Sequence, residues 1–438
     1  MLLGTQRING DDRLEIGGCD TVELAHRFGT PLYVLDEAYF RENCRRYRVA
    51  FESRYPNVLV AFAAKALMTK AVCRIAEEEG LGLDVVSAGE LYTALQAGFP
   101  VGRVFLHGSD KSREEMEMAV RHRVGRVVVD NLEELSVLQS LAAAGKAVVD
   151  VIIRVTPGVS VETHTHVETG RADTKFGLAI VGGAAREAVA KAMAAANLRV
   201  RGIHCHIGSQ VLEVEPFRQA AAMMANFSSE VRDALGMVVE DLNMGGGLGV
   251  RYLPTDQPPS VEDYAEAVAG TLKDVCAKRG LPLPRLILEP GRGLVGEAGT
   301  TLYTIGVVKE IPGVRTYVSV DGGMADNPRP ALYGAKYHAI VANKASQPRT
   351  KKVTVCGKSC ESDTLITDLG TPEVTPGDIL AVQTTGAYNY SMASNYNRLP
   401  RPAMVLVLDG QPDLIVERED LEDLVRMDRV PARLQRKT

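Results

Sequence analysis

Two hydrophobic rhythms divide the chain. From residue 58 onward, short β-rich runs alternate with longer stretches that carry apolar residues at helical spacing, and the alternation repeats eight times. The runs are Val58–Phe62, Leu83–Val86, Val104–His107, Val127–Asp130, Val149–Val155, Val200–His206, Val239–Met244 and Arg285–Glu289. The segments between them carry helix signals. Ser87-Ala88-Gly89-Glu90 and Ser112-Arg113-Glu114-Glu115 read as capping boxes. Asn131 caps a helix on which Leu135, Leu138 and Leu141 recur at helical spacing and whose end Gly145 marks. Residues 183–196, 214–235 and 261–279 read as alanine-rich helices. Eight strand-helix units over about 230 residues predict a (β/α)8 barrel, with a doubly wound sheet as the alternative. After Gly299 the rhythm stops. Thr301–Lys309, Thr316–Val320, Lys352–Cys356, Ile379–Val382 and Ala403–Leu408 are β-type runs split by Pro and Gly turns, which predicts a mainly β domain of about 140 residues. The first 30 residues do not follow the barrel rhythm, and an extended piece, Leu32-Tyr33-Val34-Leu35, begins after Thr30-Pro31. The expected division is a barrel over 34–289 and a β domain from 1–33 and 290–438. No low-complexity linker separates them, so close packing is expected.

Composition narrows this picture without redirecting it. A chain of 438 residues exceeds what one core usually serves. Hydrophobic content of 45% and charged content of 24% are ordinary for a globular protein. A net charge of −5 argues against a nucleic-acid or anionic-membrane surface. No apolar run approaches the ~20 residues that span a bilayer. Met1-Leu2-Leu3-Gly4-Thr5-Gln6-Arg7 lacks the features of a signal peptide, so a cytoplasmic protein is expected. The seven cysteines are scattered, with no Cys-x-x-Cys pair, which predicts reduced thiols.

Reactive residue types collect where the runs end, which in a barrel is the face that carries the site. Lys65 comes after the first run, between small alanines. At a dry strand end such a lysine loses hydration, which favours the neutral amine that attacks a carbonyl; the ordinary alternative is a lysine in solvent. Asp84 and Ser87, His107, Asp130, Arg154 and His206 close the next five runs. Gly245-Gly246-Gly247-Leu248-Gly249 comes after the seventh and Glu289-Pro290-Gly291-Arg292 after the eighth. The glycine run can present backbone N–H groups to a phosphate, or simply make a tight turn. Gly291-Arg292-Gly293-Leu294-Val295-Gly296 matches a dinucleotide fingerprint, but Thr300-Thr301-Leu302-Tyr303-Thr304-Ile305 reads as a strand where that motif must open a helix. His204 with His206 and His164 with His166 invite a metal, yet no acidic residues cluster beside them at ligand spacing, and no metal is expected. Together a nucleophilic lysine, a ring plate at His206 with Ser209 beside it, a carboxylate at Glu289 and a glycine-arginine phosphate grip fit a flat phosphorylated aldehyde, pyridoxal phosphate.

The motifs carry a resemblance. Ala61-Phe62-Ala63-Ala64-Lys65-Ala66, His206-Ile207-Gly208-Ser209, Gly245-Gly246-Gly247 and Glu289-Pro290-Gly291-Arg292 resemble the fold-type III pyridoxal-phosphate enzymes, which pair an alanine-racemase-like barrel with a β domain. Within them the chain is similar to the diaminopimelate decarboxylases. Three further stretches carry that similarity: Asp326-Asn327-Pro328-Arg329-Pro330-Ala331-Leu332-Tyr333-Gly334, Gly357-Lys358-Ser359-Cys360-Glu361-Ser362 and Gly386-Ala387-Tyr388-Asn389-Tyr390-Ser391-Met392. Thr169-Gly170 and Thr174-Lys175-Phe176-Gly177 also agree. The resemblance implies that Lys65 carries the cofactor and that His206, Ser209, Gly246, Gly247, Glu289, Gly291, Arg292 and Tyr388 hold it. It implies that Arg292, Arg329, Tyr333, Glu361 and Tyr388 bind an amino-acid substrate, meso-2,6-diaminopimelate, and that Cys360 is the catalytic proton donor. It further implies a homodimer whose partner supplies Cys360 and Glu361 to each site, and L-lysine and carbon dioxide as products. Two positions depart from the family: Asp363 comes directly after Ser362 where a glycine is usual, and Phe62 stands in place of a tyrosine. A related decarboxylase of ornithine, arginine or carboxynorspermidine, an amino-acid racemase and a non-catalytic cofactor carrier are the rival readings. An arginine grip joined to Glu361 favours a substrate with a second amino-acid head.

Overall fold

The structure is a computed structural model that describes residues 1–159 and 174–435. His164-Thr165-His166 and Thr169-Gly170 lie outside the described residues. The chain divides into two compact units: Tyr39–Glu297, and Met1–Ala38 with Ala298–Thr438.

In the first unit all eight β-rich runs are strands: β1 (Val58–Ala63), β2 (Gly82–Val85), β3 (Val104–Leu106), β4 (Arg126–Val129), β5 (Val149–Thr156), β6 (Leu198–His204), β7 (Asp241–Asn243) and β8 (Arg285–Leu288). Each pairs in parallel with the next, and β8 pairs in parallel with β1, so the sheet closes on itself. This is the eight-stranded barrel, not the doubly wound sheet. Helices fill the connections, and their starts obey local chemistry. Ser112 makes a full capping box with Glu115. The Asn131 side chain accepts from the Glu134 N–H at 2.8 Å. Ser87 accepts from the Glu90 N–H, but the Glu90 carboxylate reaches back one residue further than a box requires and takes the Val86 N–H at 2.7 Å.

A strand alternates its side chains, so every second residue shares a face. Ala61, Phe105, Val128, Ile152 and Ile287 form one buried cluster drawn from β1, β3, β4, β5 and β8. Two residues away along each row the character changes. The rows read Arg126–Val128–Asp130, Asp150–Ile152–Arg154 and Arg285–Ile287–Glu289. Below the apolar layer, Arg126 donates to Asp241 at 2.8 Å and to Asp150 at 3.1 Å, and Arg285 forks onto Asp241 at 2.9 Å through both Nε and Nη2. An ion network thus closes one end of the barrel, and the opposite end of the same rows carries Asp84, His107, Asp130, Arg154, His204, Asn243 and Glu289. All seven are buried.

A buried ion pair ties two loops at that end. Lys111 Nζ donates to Gly108 O at 2.8 Å, to Val128 O at 2.6 Å and to the Glu134 carboxylate. Glu134 also accepts from the Asp130 N–H at 3.2 Å. Burial pushes the Lys111 ammonium down and the Glu134 carboxyl up, and each charge offsets part of the other's cost.

The second unit is mainly β. Its main sheet runs in the order 364–371, 351–356, 315–320, 299–311, 32–36, 403–408, 411–416, and Ala339–Val341 with Ile379–Gln383 joins at the strand 299–311. The barrel unit begins at Tyr39 and not at residue 34. Leu32–Asp36 lies between Gly299–Ile311, antiparallel, and Ala403–Leu408, parallel, and its Leu32 and Val34 sit in the core with Leu302, Ala381 and Val405. At the other end the short helix Arg292–Val295 stays with the barrel unit. The first residues form a three-stranded sheet and a helix, Thr21–Phe28, capped by Asp20.

Removing the carboxylate in Glu134→Ala leaves Lys111 as a buried charge without its counter-ion. Urea unfolding is expected to show a loss of roughly 3–5 kcal/mol, most of it recovered in the double variant Lys111→Met, Glu134→Leu.

Candidate active site

The charged end of the barrel is built around Glu289, one residue past β8. Its Oε1 pairs with His107 Nε2 at 2.8 Å and accepts from Asn243 Nδ2 at 2.5 Å, and its Oε2 faces His204 Nε2 at 3.2 Å. The two imidazoles meet edge to face, with centroids 4.9 Å apart. Burial alone would push this carboxyl up; the rings of His107 and His204 outweigh it and hold Glu289 well below the usual carboxylate range. Burial pushes His204 down to about 3 despite Glu289. Its Nε2 stays within hydrogen-bond reach of Glu289 Oε2. Asp84, whose Oδ1 lies 3.7 Å from His107 Nε2, moves the other way: burial and the Glu289 charge raise it against the pull of His107. One buried carboxyl is kept ionised and its neighbour is pushed towards the protonated form.

His107, His204 and Glu289 bring their ligand atoms within 4.8 Å of one another. Their 2.8 and 3.2 Å contacts are hydrogen-bond lengths, so the imidazoles are committed to the carboxylate. Of the histidine pair singled out in the sequence, His204 ends β6 and serves Glu289. His206 lies two residues further on and is only partly accessible; burial pushes its ring well down, and the charges of Lys65 and Arg154 add to this.

Lys65 comes after β1 in the short turn Ala64–Ala66. Ala64 and Ala66 are buried, but Lys65 itself is exposed, so the expected desolvation at a dry strand end is not found. The turn swings the lysine off the strand's buried row and leaves its side chain accessible. Its charge still acts on Asp84, Glu90 and His206. The departure at Phe62 is absorbed in the core, where its ring packs on Phe40 at 5.8 Å.

Three loops then approach closer than side chains would allow. A Cβ on Gly246 would stand 2.1 Å from Glu289 O, and one on Gly247 would stand 2.3 Å from Gly208 O. Gly247 has φ +124°, a conformation that only glycine adopts readily. Beside them Arg292 donates through Nη2 to Ser209 Oγ at 3.0 Å and through Nη1 to Tyr252 OH. Gly291, directly before Arg292, packs against Ala63 and Ala66 of the lysine turn. Lys65, His206, Ser209, Gly246, Gly247, Glu289, Gly291 and Arg292 thus come after the strands at one end of the barrel. Their supports Asn243 and Tyr252, and the roles of His107, His204 and Asp84, are not evident from the sequence motifs; the two-residue inward rows are the signal that finds all but Tyr252.

The remaining candidates lie in the second unit. Arg329 and Tyr333 begin and end one short helix. Arg329 is buried, donates to Tyr337 OH at 3.0 Å and has its guanidinium 5.9 Å from the Tyr388 ring. Tyr388 takes φ +64°, which is strained for a residue with a side chain. Cys360 and Glu361 are exposed. The loop that bears them closes tightly, with the Asp363 N–H on Glu361 O at 2.8 Å, and the Asp363 carboxylate accepts from Met324 N–H at 2.8 Å. The missing glycine therefore leaves a compact turn.

Residues 38–296 match the family model described as "Pyridoxal-dependent decarboxylase, pyridoxal binding domain". The chain belongs to the pyridoxal-dependent decarboxylases. Among curated relatives, "Diaminopimelate decarboxylase" of Bacillus subtilis (strain 168) is 48% identical over 428 residues, covering 98% of each chain. A protein of the same name from Synechocystis sp. is 44% identical over 441 residues, covering 98% of this chain and 93% of that one. A crystal structure of diaminopimelate decarboxylase from M. jannaschii in co-complex with L-lysine superposes with a TM-score of 0.93 at 37% identity, covering 99% of this chain and 100% of the other. This decarboxylase is thus a carboxy-lyase that uses pyridoxal phosphate. The residues fit that group: an ionised carboxylate suits a protonated ring nitrogen, and the Cβ-free loops with Ser209 and Arg292 suit a phosphate.

Two outcomes test this site. Gly247→Ala is expected to keep the fold by circular dichroism but to lose bound cofactor absorbance, with affinity down at least about tenfold, because a Cβ at 2.3 Å forces Gly208 away. The second concerns Glu90, which burial pushes up to about 7. A raised carboxyl contributes stability below its unfolded pKa and loses it as pH rises through the folded one. Thermal stability of the parent protein is therefore expected to fall from about pH 4.5 to about pH 7, and to level off above that, more steeply than that of Glu90→Gln, which keeps an acceptor for Val86 N–H.

Proposed function

We propose that this chain decarboxylates meso-2,6-diaminopimelate to L-lysine and carbon dioxide, the last step of lysine biosynthesis. The observation that carries the reading is the buried, ionised Glu289, found on a chain that is similar over nearly its full length to proteins of that activity. Bound pyridoxal phosphate supplies an electron-accepting ring that takes up the charge left at the α-carbon when carbon dioxide departs. Lys65 is the amine that would tether it. Glu289 keeps the proton on the ring nitrogen; His107, Asn243 and His204 fix its two oxygens so that it does not reorient as charge develops. His206 would lie against one face of the ring. The Gly246–Gly247 loop, Gly291, Ser209 and Arg292 hold the phosphate, and the contact of Arg292 with Ser209 supports this duty for the arginine.

Substrate choice rests on the second unit. Arg329 and Tyr333, with Arg292, take the distal carboxylate, Glu361 takes the distal ammonium, and Tyr388 reaches both cofactor and substrate. The Tyr337 hydroxyl fixes the Arg329 guanidinium, which supports a carboxylate grip in a set direction. Cys360 delivers a proton from Sγ to the α-carbon after carbon dioxide has left. The active form is a homodimer in which Cys360 and Glu361 serve the partner's site. A cytoplasmic setting is supported by seven free cysteines, Cys360 among them exposed. No helix among the described residues is long and apolar enough to cross a membrane.

Purified protein with pyridoxal phosphate and a panel of amino acids is expected to release carbon dioxide and lysine from meso-diaminopimelate; release from ornithine, arginine or carboxynorspermidine instead sinks the assignment. Borohydride reduction and then peptide mapping are expected to label Lys65. Mixing inactive Lys65→Ala and Cys360→Ala proteins is expected to restore activity, since mixed dimers contain one intact site; no recovery argues for sites built within one chain.

A further inference from the structure

The loop that carries Cys360 and Glu361 is exposed on both residues, yet its geometry is set by a second loop. Tyr396 OH donates to Glu361 Oε1, and the Cys360 N–H donates to Asn397 Oδ1 at 3.0 Å. Neighbouring residues of one segment therefore hold both candidate groups, one by its carboxylate and one by its backbone. The segment adopts a conformation it would not choose alone. Asn397 and Arg398 are consecutive left-handed residues, with φ +52° and +57°. Neither is glycine, and such a pair persists only where surroundings over-determine it. The surroundings here are the chain's last part: Arg398 donates to Leu424 O and, at 2.6 Å, to Asp428 Oδ2, and Asn395 donates to Glu419 at 2.6 Å.

A surface pair of this kind is usually worth little, because two exposed side chains must be ordered for one contact. The neighbouring backbone bond to Cys360 and the strained pair behind it distinguish this contact from an ordinary one. Hydrogen-bonded to Tyr396, the Glu361 carboxylate has one oxygen fixed and presents Oε2 in a single direction. We infer that Tyr396 is a positioning residue that aims Glu361 at the distal ammonium of the substrate and so sets discrimination between ligands with and without that group. This rests on the proposed role of Glu361 and goes beyond it by naming what makes the grip selective.

The test uses the holoenzyme and two ligands. L-Lysine carries an amino-acid head like the distal end of the substrate; 6-aminohexanoate is the same molecule without the α-ammonium. Inhibition constants for both are measured on the parent protein, Tyr396→Phe, Glu361→Gln and the double variant. Tyr396→Phe is expected to weaken L-lysine about tenfold while leaving 6-aminohexanoate within about twofold, since one hydrogen bond to a charged group is lost. For diaminopimelate the KM is expected to rise by a similar factor with kcat held. In the Glu361→Gln background Tyr396→Phe is expected to add nothing. Equal weakening of both ligands, a fall in kcat alone or full additivity with Glu361→Gln overturns the inference. A parent enzyme that makes lysine but does not distinguish the two ligands removes Glu361 as the ammonium grip, and this inference with it. Failure to make lysine at all is the separate failure of the proposed reaction.

Discussion

A closed barrel of parallel strands forces every second side chain inward, and the site depends on that constraint. With eight strands there is room for side chains but not for a channel, so each inward row must be filled from end to end. This chain fills the rows in three layers. Arg126, Asp150, Asp241 and Arg285 neutralise one another at one end, Phe105, Val128, Ile152 and Ile287 make the dry middle, and acids, imidazoles and an amide occupy the other end. The middle layer is what makes the last one useful. It keeps water from reaching Glu289 and Asp84 from below, so their ionisation answers to specific neighbours and not to solvent.

Those neighbours divide two similar carboxyls into two roles. Glu289 collects three side-chain donors within 3.2 Å; Asp84 has an Oδ1 that accepts no hydrogen bond among the described residues. Desolvation acts on both, so the difference lies in the number of donors and in their order of arrangement. Once Glu289 holds the negative charge, it also discourages ionisation of Asp84 across the His107 ring that lies between them. The negative charge of the pair thus stays on Glu289. An anion of that kind is what a protonated ring nitrogen requires from its partner.

The barrel is legible in the sequence because its signals are local. A run of β-branched residues, a cap and an apolar helix face each specify themselves, and eight repeats leave few topologies. The second unit is less so. Thr364–Thr371 escapes a sequence reading because it mixes polar residues with Asp368, which sits at φ +57°, and Gln411–Val416 opens on Gln-Pro and lies exposed at a sheet edge, where β signals weaken. Leu32–Asp36 reads as extended, but its pattern places it in the wrong unit; a strand does not announce the sheet it joins across nearly 270 residues of chain. The same limit applies to the site. Glu289 and Lys65 stand out by position, while Asn243 looks like an ordinary strand residue until the closure of β7 against β8 places it beside the carboxylate. For Lys65 itself, the sequence points correctly to a strand-end amine and incorrectly to a dry one.

The two arms proposed for the distal end of the substrate differ in stiffness, and that difference bears on how selectivity arises. Arg329 is buried, hydrogen-bonded to Tyr337 and within 6 Å of two aromatic rings, so its fork is fixed before any ligand arrives. Glu361 is exposed and depends on a neighbouring loop whose own backbone is held out of its preferred region. A rigid arginine favours every ligand with a carboxylate at the right distance and separates few of them. A carboxylate whose direction must be maintained favours only ligands that also bring an ammonium to that point. Discrimination is a difference of affinities, and the proposed division of roles would place that difference on the softer arm.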